Sequence, residues 1–316
     1  MTASNLREQV ADYLHVRRGL GFRLDTAGVA LASFVRYAEH EGHHGPLTTA
    51  LAVRWALETR SDDPAQAERR LAVVRQFARH QAAFDPGTEI PAARLLAAVP
   101  RRRTQPHIYS TAEVTLLLEH ARLLTPRPGL RPAAYETLFG LLASTGLRVG
   151  EACRLEPGDV DLVDGVLTVR ETKFRKSRLV PLHPTTARAL RVYATDRDRR
   201  VGPSGGFFRT DTAAWLKIDT VLKTFVRLRQ RLGWTDEGRS RPPRAHDLRH
   251  TFAVRRLLAW CVEGVDVDRK ILALSTYLGH ARPSDTYWYL TAVPELMAAT
   301  SRRFEDFAQA WQGDRP

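Results

Sequence analysis

The chain has 316 residues, enough for about two domains with real hydrophobic cores. Its 43% apolar content excludes wholesale disorder, and lysine plus arginine exceed aspartate plus glutamate by 48 − 35 = 13. A surplus of that size attracts polyanions, with nucleic acid the first candidate, although charge alone establishes only non-specific attraction.

No stretch is apolar for long enough to cross a bilayer, and "MTASNLREQVADYL" lacks the basic-then-apolar layout of a signal peptide. Cys153 and Cys261 lie too far apart in sequence to suggest a disulfide framework. A cytoplasmic protein with no membrane partner is therefore expected. The positive charge is nearly all arginine. Lysine occurs only at Lys173, Lys176, Lys217, Lys223 and Lys270.

Residues 1–85 show helical periodicity. Asn5 or Ser4 can cap a segment carrying Leu6, Val10, Tyr13 and Leu14, and Asp25 opens another with Val29, Leu31, Phe34, Val35 and Tyr37. "LTTALAVRWALE" follows, then "DPAQAERRLAVVRQFARHQAAF" with Pro64 near its first turn. This reads as a small all-helical bundle. The pattern breaks over 86–106, a proline-rich stretch with the basic triplet Arg101, Arg102 and Arg103. Such a composition suits a linker passing over phosphates; a solvated hinge is the plainer reading.

A second domain is expected over 107–316. Ser110 and Glu113 form a capping-box pattern before an apolar run, and another helix spans about 131–144. Asp164-Gly165 sits between alternating apolar runs and signals a hairpin. "SRLVPL" adds a third short strand, and helices return from about 184. The predicted fold is mainly α: a helical domain followed by a mostly helical one with a small three-stranded antiparallel sheet.

Four pieces of this second domain carry unusual polar groups. In "STGLRVGEACRL", Arg148 follows a glycine turn and Glu151 is placed to fix its guanidinium fork. In "RETKFRKSRLVPL", Lys173 and Lys176 fall in the connection between the second and third strands, in a chain with no earlier lysine. In "RAHDLRHTFAVRRLL", His246, Arg249 and His250 open a helix whose positively polarised start is a natural anion site. The His246/His250 spacing also suits a metal pair. The intervening Asp-Leu-Arg lacks the glutamate of the zinc-protease motif, and no third ligand is evident, so no metal is expected. In "LGHARPSDTYWYL", His280 precedes Tyr289 by nine residues, with Tyr287 and Trp288 beside it. Any one piece alone reads more simply as structure.

Together "TGLRVGEACRL", "TKFRKSRLVPL", "HDLRH" and "LGH" followed by "YWYL" resemble the tyrosine recombinase family (phage-integrase type, Xer-like), in family order and spacing across about 107–300. By position, size and composition the first domain resembles that family's core-binding (SAM-like) domain. The resemblance implies a catalytic set of Arg148, Lys173, His246, Arg249, His280 and Tyr289, with Glu151 and His250 in support, and Arg101, Arg102, Arg103 and Lys176 as DNA contacts. It selects Tyr289 rather than Tyr287 as nucleophile, because the nucleophile lies nine residues after the second histidine position. Alignment back from "RLVPL" selects Lys173 over Lys176 as the acid, although Thr172 and Phe174 stand where the family often has glycines.

The implied activity is site-specific DNA recombination through a 3′-phosphotyrosyl intermediate, with no cofactor, metal or ATP. The implied partners are double-stranded DNA bearing a specific core site, further copies of the chain forming a tetramer in the synaptic complex, and accessory DNA-bending proteins. A C-terminal helical tail from about 293, with Leu296, Met297, Phe304, Phe307 and Trp311 at helical spacing, is expected to dock on a neighbouring protomer or on its own domain. Two other readings remain open: a type IB topoisomerase or resolvase-like enzyme that rejoins the original strand, and a DNA-binding protein without catalysis.

Overall fold

The computed structural model describes residues 5–59, 64–96, 105–170, 177–235, 241–280 and 282–292. The chain divides into two compact units, Met1–Arg103 and Thr104–Pro316. Arg101, Arg102, Arg103, Lys173, Lys176 and the tail from about 293 lie outside the described residues.

In the first unit α1 (Leu6–Gly19), α2 (Asp25–His40), α3 (Thr49–Leu57) and α4 (Pro64–Gln81) form a helical bundle. Asn5 opens α1 in a capping box with Glu8. The Thr48 hydroxyl accepts from the Leu51 N–H at the start of α3. Tyr13 meets Phe77 edge-on, and Phe34 meets Trp55 likewise, in a core that also buries Leu31, Leu71 and Val74.

On α2 the buried stripe is Leu31, Phe34, Val35 and Ala38. Val29, expected with them, is 73% exposed. It precedes Leu31 by two residues, about 200° round the helix, and so falls on the outer face.

Residues 85–96 belong to this bundle. Arg75 donates to the carbonyls of Pro91 and Ala92, each at 2.8 Å, and the Glu68 carboxylate accepts from the Leu96 N–H at 3.0 Å. The stretch read from sequence as a linker from 86 thus begins as part of the helical unit.

The second unit contains α5 (Thr111–Arg122), α6 (Leu130–Thr145), α7 (Val149–Cys153), α8 (Pro184–Val201), α9 (Ile218–Arg231), α10 (Asp247–Val262), α11 (Val267–Leu278) and α12 (Ser284–Ala292). A sheet of β1 (Val160–Asp161), β2 (Val166–Val169) and β3 (Arg178–Pro181) is antiparallel throughout, in the order β1-β2-β3. The hairpin turns where Asp164-Gly165 predicted it: Gly165 has φ +67°, and the Asp161 carboxylate accepts from the Val163 and Asp164 N–H groups. The mainly helical fold with a small three-stranded sheet is as expected.

Helix α6 is apolar on nearly every side and is correspondingly central, packed by α5, α8 and α10. Leu167, Val169 and Val180 of the sheet join this core. A second cluster gathers Val254 and Leu257 of α10, Leu274 and Leu278 of α11, and Tyr289 of α12.

Two helices end in left-handed glycines that position the site, Gly146 after α6 and Gly279 after α11. A Cβ on Gly146 would stand 2.7 Å from Phe252 and 3.0 Å from Leu278, whereas one on Gly233, also at positive φ, would meet nothing within 4 Å. Gly233→Ala is therefore expected to cost about 1 kcal/mol from backbone conformation alone. Gly146→Ala adds overpacking and should cost roughly 2–4 kcal/mol. Urea denaturation of the two variants checks the ranking.

Candidate active site

The two arginines singled out in the sequence are held by helix ends. Arg249, near the start of α10, donates to the carbonyl of Gly146 at 2.8 Å and to that of Leu278 at 2.7 Å. Leu278 is the last residue of α11 and Gly146 the glycine that caps α6, and carbonyls at helix ends lack intrahelical partners and carry partial negative charge. Arg148, the cap of α7, donates to the Gly279 carbonyl at 2.9 Å and to Glu151 Oε1 at 2.7 Å. A guanidinium has five N–H donors. Each arginine here commits two, leaving N–H groups for a ligand. The Arg148 side chain is 35% exposed, whereas Arg249 is 2% exposed.

Glu151 does what its spacing predicts and more. Its carboxylate also takes a bidentate grip from Arg178 of β3, at 3.1 Å and 2.8 Å, while Arg178 Nε donates to the Tyr277 carbonyl at 2.7 Å. One carboxylate thus joins α7, β3 and the end of α11. Arg178 was not anticipated from sequence. The available signal was strand alternation: Arg178 shares the inward face of β3 with buried Val180, while Leu179 is exposed. A guanidinium on a buried face needs a carboxylate.

Tyr289 and Tyr287 lie on different faces of α12. Tyr289 is 2% exposed and Tyr287 39%. The Tyr289 hydroxyl is 2.7 Å from His250 Nδ1. The rings of His246 and His250 meet edge to face at 4.9 Å, and the His280 ring stacks on that of Tyr289 at 6.5 Å. His280 Nδ1 is 2.6 Å from the hydroxyl of fully buried Thr286, a second partner that sequence reasoning missed. Trp288 packs against this cluster, 5.4 Å from Tyr289 and 6.1 Å from His250 by ring centroid. Asp247 is occupied by Arg241 through two bonds of 2.8 and 2.9 Å.

Burial acts against every charge here. Burial, reinforced by the charge of Arg249, lowers His246 and His280 each to about 4. Burial and then His246 lower His250 to about 3. All three rings are therefore neutral at pH 7, each with one bare nitrogen. Burial and the neighbouring Arg148 lower Arg249 to about 10, opposed by Glu151 and Tyr289, so it stays cationic. Burial would raise Glu151, but the hydrogen bonds and charge of Arg178, with help from Arg148, bring it down to about 2. The result is a pocket of fixed cations, neutral imidazoles and one phenol.

The structure thus brings together Arg148, Glu151, His246, Arg249, His250, His280 and Tyr289. Lys173, in the β2–β3 connection, is outside the described residues. Among the described residues no group of three or more histidine, cysteine or carboxylate side chains is arranged to hold a metal ion, and no helix is long and apolar enough to cross a membrane.

The sequence profile of the phage integrase family matches residues 111–295. A Sinorhizobium fredii protein named as an integrase/recombinase, y4rB, is 41% identical over 310 residues, covering 96% of this chain and 98% of its own length. Tyrosine recombinase XerC of Rhodospirillum centenum is 32% identical over 279 residues, covering 85% of this chain and 75% of the relative. Among solved structures, the Tn1549 transposon integrase in complex with transposon right-end DNA superposes with a TM-score of 0.64 at 16% identity, over 96% of this chain and all of that one. The XerH site-specific recombinase bound to its difH substrate gives a TM-score of 0.63 at 18% identity, over 92% of this chain and 80% of the other. The chain belongs to the phage integrase family of tyrosine recombinases.

Proposed function

We propose that this chain is a site-specific DNA recombinase in which Tyr289 attacks a backbone phosphate gripped by Arg148 and Arg249. The observation that carries the reading is the placement of one buried phenol among neutral imidazoles and two guanidiniums anchored on helix ends. A phosphodiester resists attack because its non-bridging oxygens are negative, and the transition state gathers further charge. Guanidiniums fixed before the reaction stabilise that charge without reorganising. Arg148 is partly exposed and open to an arriving phosphate, whereas Arg249 is buried beside it.

In the proposed chemistry Tyr289 Oη bonds to phosphorus and the 5′-oxygen leaves with a proton from Lys173, Lys176 being the second candidate. His246 and His280 donate hydrogen bonds to the phosphate or take the phenol proton. The product is a 3′-phosphotyrosyl link and a free 5′-hydroxyl. The link conserves the energy of the phosphodiester, so ATP is not needed, and the arginines supply the charge that cations supply in two-metal nucleases. Attack by another strand's 5′-hydroxyl completes exchange. Relatives named as recombinases, and solved neighbours bound to DNA core sites or, as a lambda integrase tetramer, to a Holliday junction, support duplex DNA as substrate and four subunits as the working assembly. The Arg101–Arg103 triplet and the C-terminal tail are proposed to contact DNA and a neighbouring subunit respectively. The cytoplasm is the proposed location.

The direct test incubates the purified chain with fragmented host DNA, denatures the mixture, and sequences whatever remains covalently attached. Wild type and Tyr287→Phe are expected to trap DNA at one recurrent sequence, and Tyr289→Phe to trap none; trapping by Tyr289→Phe would end the assignment. Exchange between two duplexes carrying that sequence is expected to exceed supercoil relaxation, which separates a recombinase from a topoisomerase.

Arg178→Met should leave buried Glu151 with Arg148 as its one remaining guanidinium partner, lowering stability by up to about 3 kcal/mol and slowing cleavage even at temperatures where the fold is intact. Arg178→Lys, keeping the charge but not the fork, should recover only part of either loss. Urea melts and single-turnover cleavage measure both.

The depressed histidines set a pH window. Their folded values of about 4, 3 and 4 lie below the ordinary 6.5, so the stability they contribute is complete above 6.5 and is lost as pH falls toward 4 and 3. The Glu151 carboxylate, lowered from 4.5 to about 2, acts in the same direction in a more acid range. The thermal midpoint should therefore drop between pH 7 and pH 4, and His280→Asn should make that drop shallower.

A further inference from the structure

The reading above leaves the phenol's proton with either His246 or His280. We infer that His250 instead accepts the Tyr289 phenol proton, making it a catalytic residue for both cleavage and rejoining. The inference rests on Tyr289 being the nucleophile.

Three observations carry it. His250 Nδ1 lies 2.7 Å from the Tyr289 hydroxyl, a direct contact with the atom that reacts, made within one chain. The geometry is fixed from both sides. His250 is one helical position after Arg249, whose two carbonyl bonds pin the start of α10, and its ring is held edge to face by His246 and flanked by Trp288. Finally, the alternative His280 has its Nδ1 on the Thr286 hydroxyl at 2.6 Å and its ring stacked on that of Tyr289, with centroids 6.5 Å apart.

The direction of the hydrogen bond follows from chemistry. A neutral phenol is a better donor than acceptor, and a neutral imidazole offers one bare nitrogen. The charged and titratable groups around His250 are His246, Asp247, Arg249 and Arg241, of which only Asp247 favours a protonated ring. Such an imidazole is too weak a base to strip a resting phenol. Transfer must accompany bond formation, when the phenol oxygen becomes strongly acidic.

The step balances as follows. The Tyr289 O–H bond breaks and its proton passes to His250 Nδ1. Oη forms the bond to phosphorus. The bond from phosphorus to O5′ breaks, its electron pair staying on O5′, which takes the proton of the general acid. Arrival of the phosphodiester's negative charge offsets the cations that oppose His250 protonation. In rejoining, a 5′-hydroxyl attacks phosphorus and gives its proton to the same acid group, and His250 returns its proton to the departing Tyr289 oxygen. The ring ends as it began.

The test uses the full chain and a nicked duplex carrying the sequence recovered from wild-type adducts. Single-turnover adduct formation is measured for wild type, His250→Ala and His250→Asn, each with tyrosine or with 3,5-difluorotyrosine at position 289. Removing a general base slows such a step by about 10²- to 10⁴-fold, and that loss is expected for His250→Ala with duplex affinity unchanged. His250→Asn keeps an oxygen near the place of Nδ1 and should preserve the thermal midpoint. It can accept the hydrogen bond but cannot carry the proton, so it should be slow as well. The more acidic fluorinated phenol should recover at least about tenfold in both variants and change wild type far less.

A rate within threefold of wild type for His250→Asn would overturn the inference. So would a loss that the fluorinated phenol does not reduce, which marks a purely structural role. Absence of any adduct from wild type would remove the nucleophile assignment itself, an outcome read from a separate lane of the same experiment.

Discussion

Glu151 is 4% exposed and is held by two guanidiniums, Arg178 across both oxygens and Arg148 on Oε1. A carboxylate so placed costs desolvation, and only its two partners keep it ionised. What the arrangement provides is geometry. Arg148 cannot swing into solvent, the end of α11 is drawn to β3 through the Tyr277 carbonyl, and Gly279 lies so close to Arg178 that a Cβ there would stand 2.7 Å from the guanidinium. His280 follows directly. The position of half the site thus depends on this one shared acid.

The charge count gives the site its purpose. Arg148, Arg178 and Arg249 bring three positive charges and Glu151 one negative, while Asp247 is taken up by Arg241. The surplus is borne by carbonyl dipoles at two helix ends, which orient a guanidinium without neutralising it. A pair of guanidiniums, one buried and one partly exposed, with net positive charge left over and free N–H groups is complementary to a phosphate. Neutral imidazoles follow first from burial and then from this field, because a protonated ring would add to the repulsion. The proposed chemistry uses these consequences: donors for the phosphate, and an uncharged acceptor beside the phenol.

Much of this could be read in the sequence because it was written in local pattern. The helix cap at Asn5, the capping box at Ser110, the Asp164-Gly165 hairpin and the spacing of Arg148 to Glu151 each depend on residues a few positions apart. Tyr287 and Tyr289 differ in burial, since two residues of separation on a helix turn the side chains to different faces. What escaped sequence reading was long-range. Arg178 meets Glu151 across 27 residues, and His250 meets Tyr289 across 39. His250 was noticed for its spacing to His246 and for a supporting place in the family motif, whereas its partner lay on another helix. Val29 was assigned to the core because it is apolar, although the stripe it would extend runs elsewhere on α2. The segment after α4 looked like linker because prolines hide the side-chain anchors Arg75 and Glu68 that fasten it.

The central claim is that these cations and the Tyr289 phenol act on a single phosphate. A crystal or cryo-electron microscopy structure of Tyr289→Phe on a nicked duplex bearing the recovered sequence measures this most directly. The account predicts one backbone phosphate within about 3 Å of N–H groups of both Arg148 and Arg249, with the ring at position 289 facing its phosphorus from the side opposite the 5′-oxygen. A phosphate held by other residues, with Arg249 still enclosed and the ring at 289 turned away from the DNA, would contradict it.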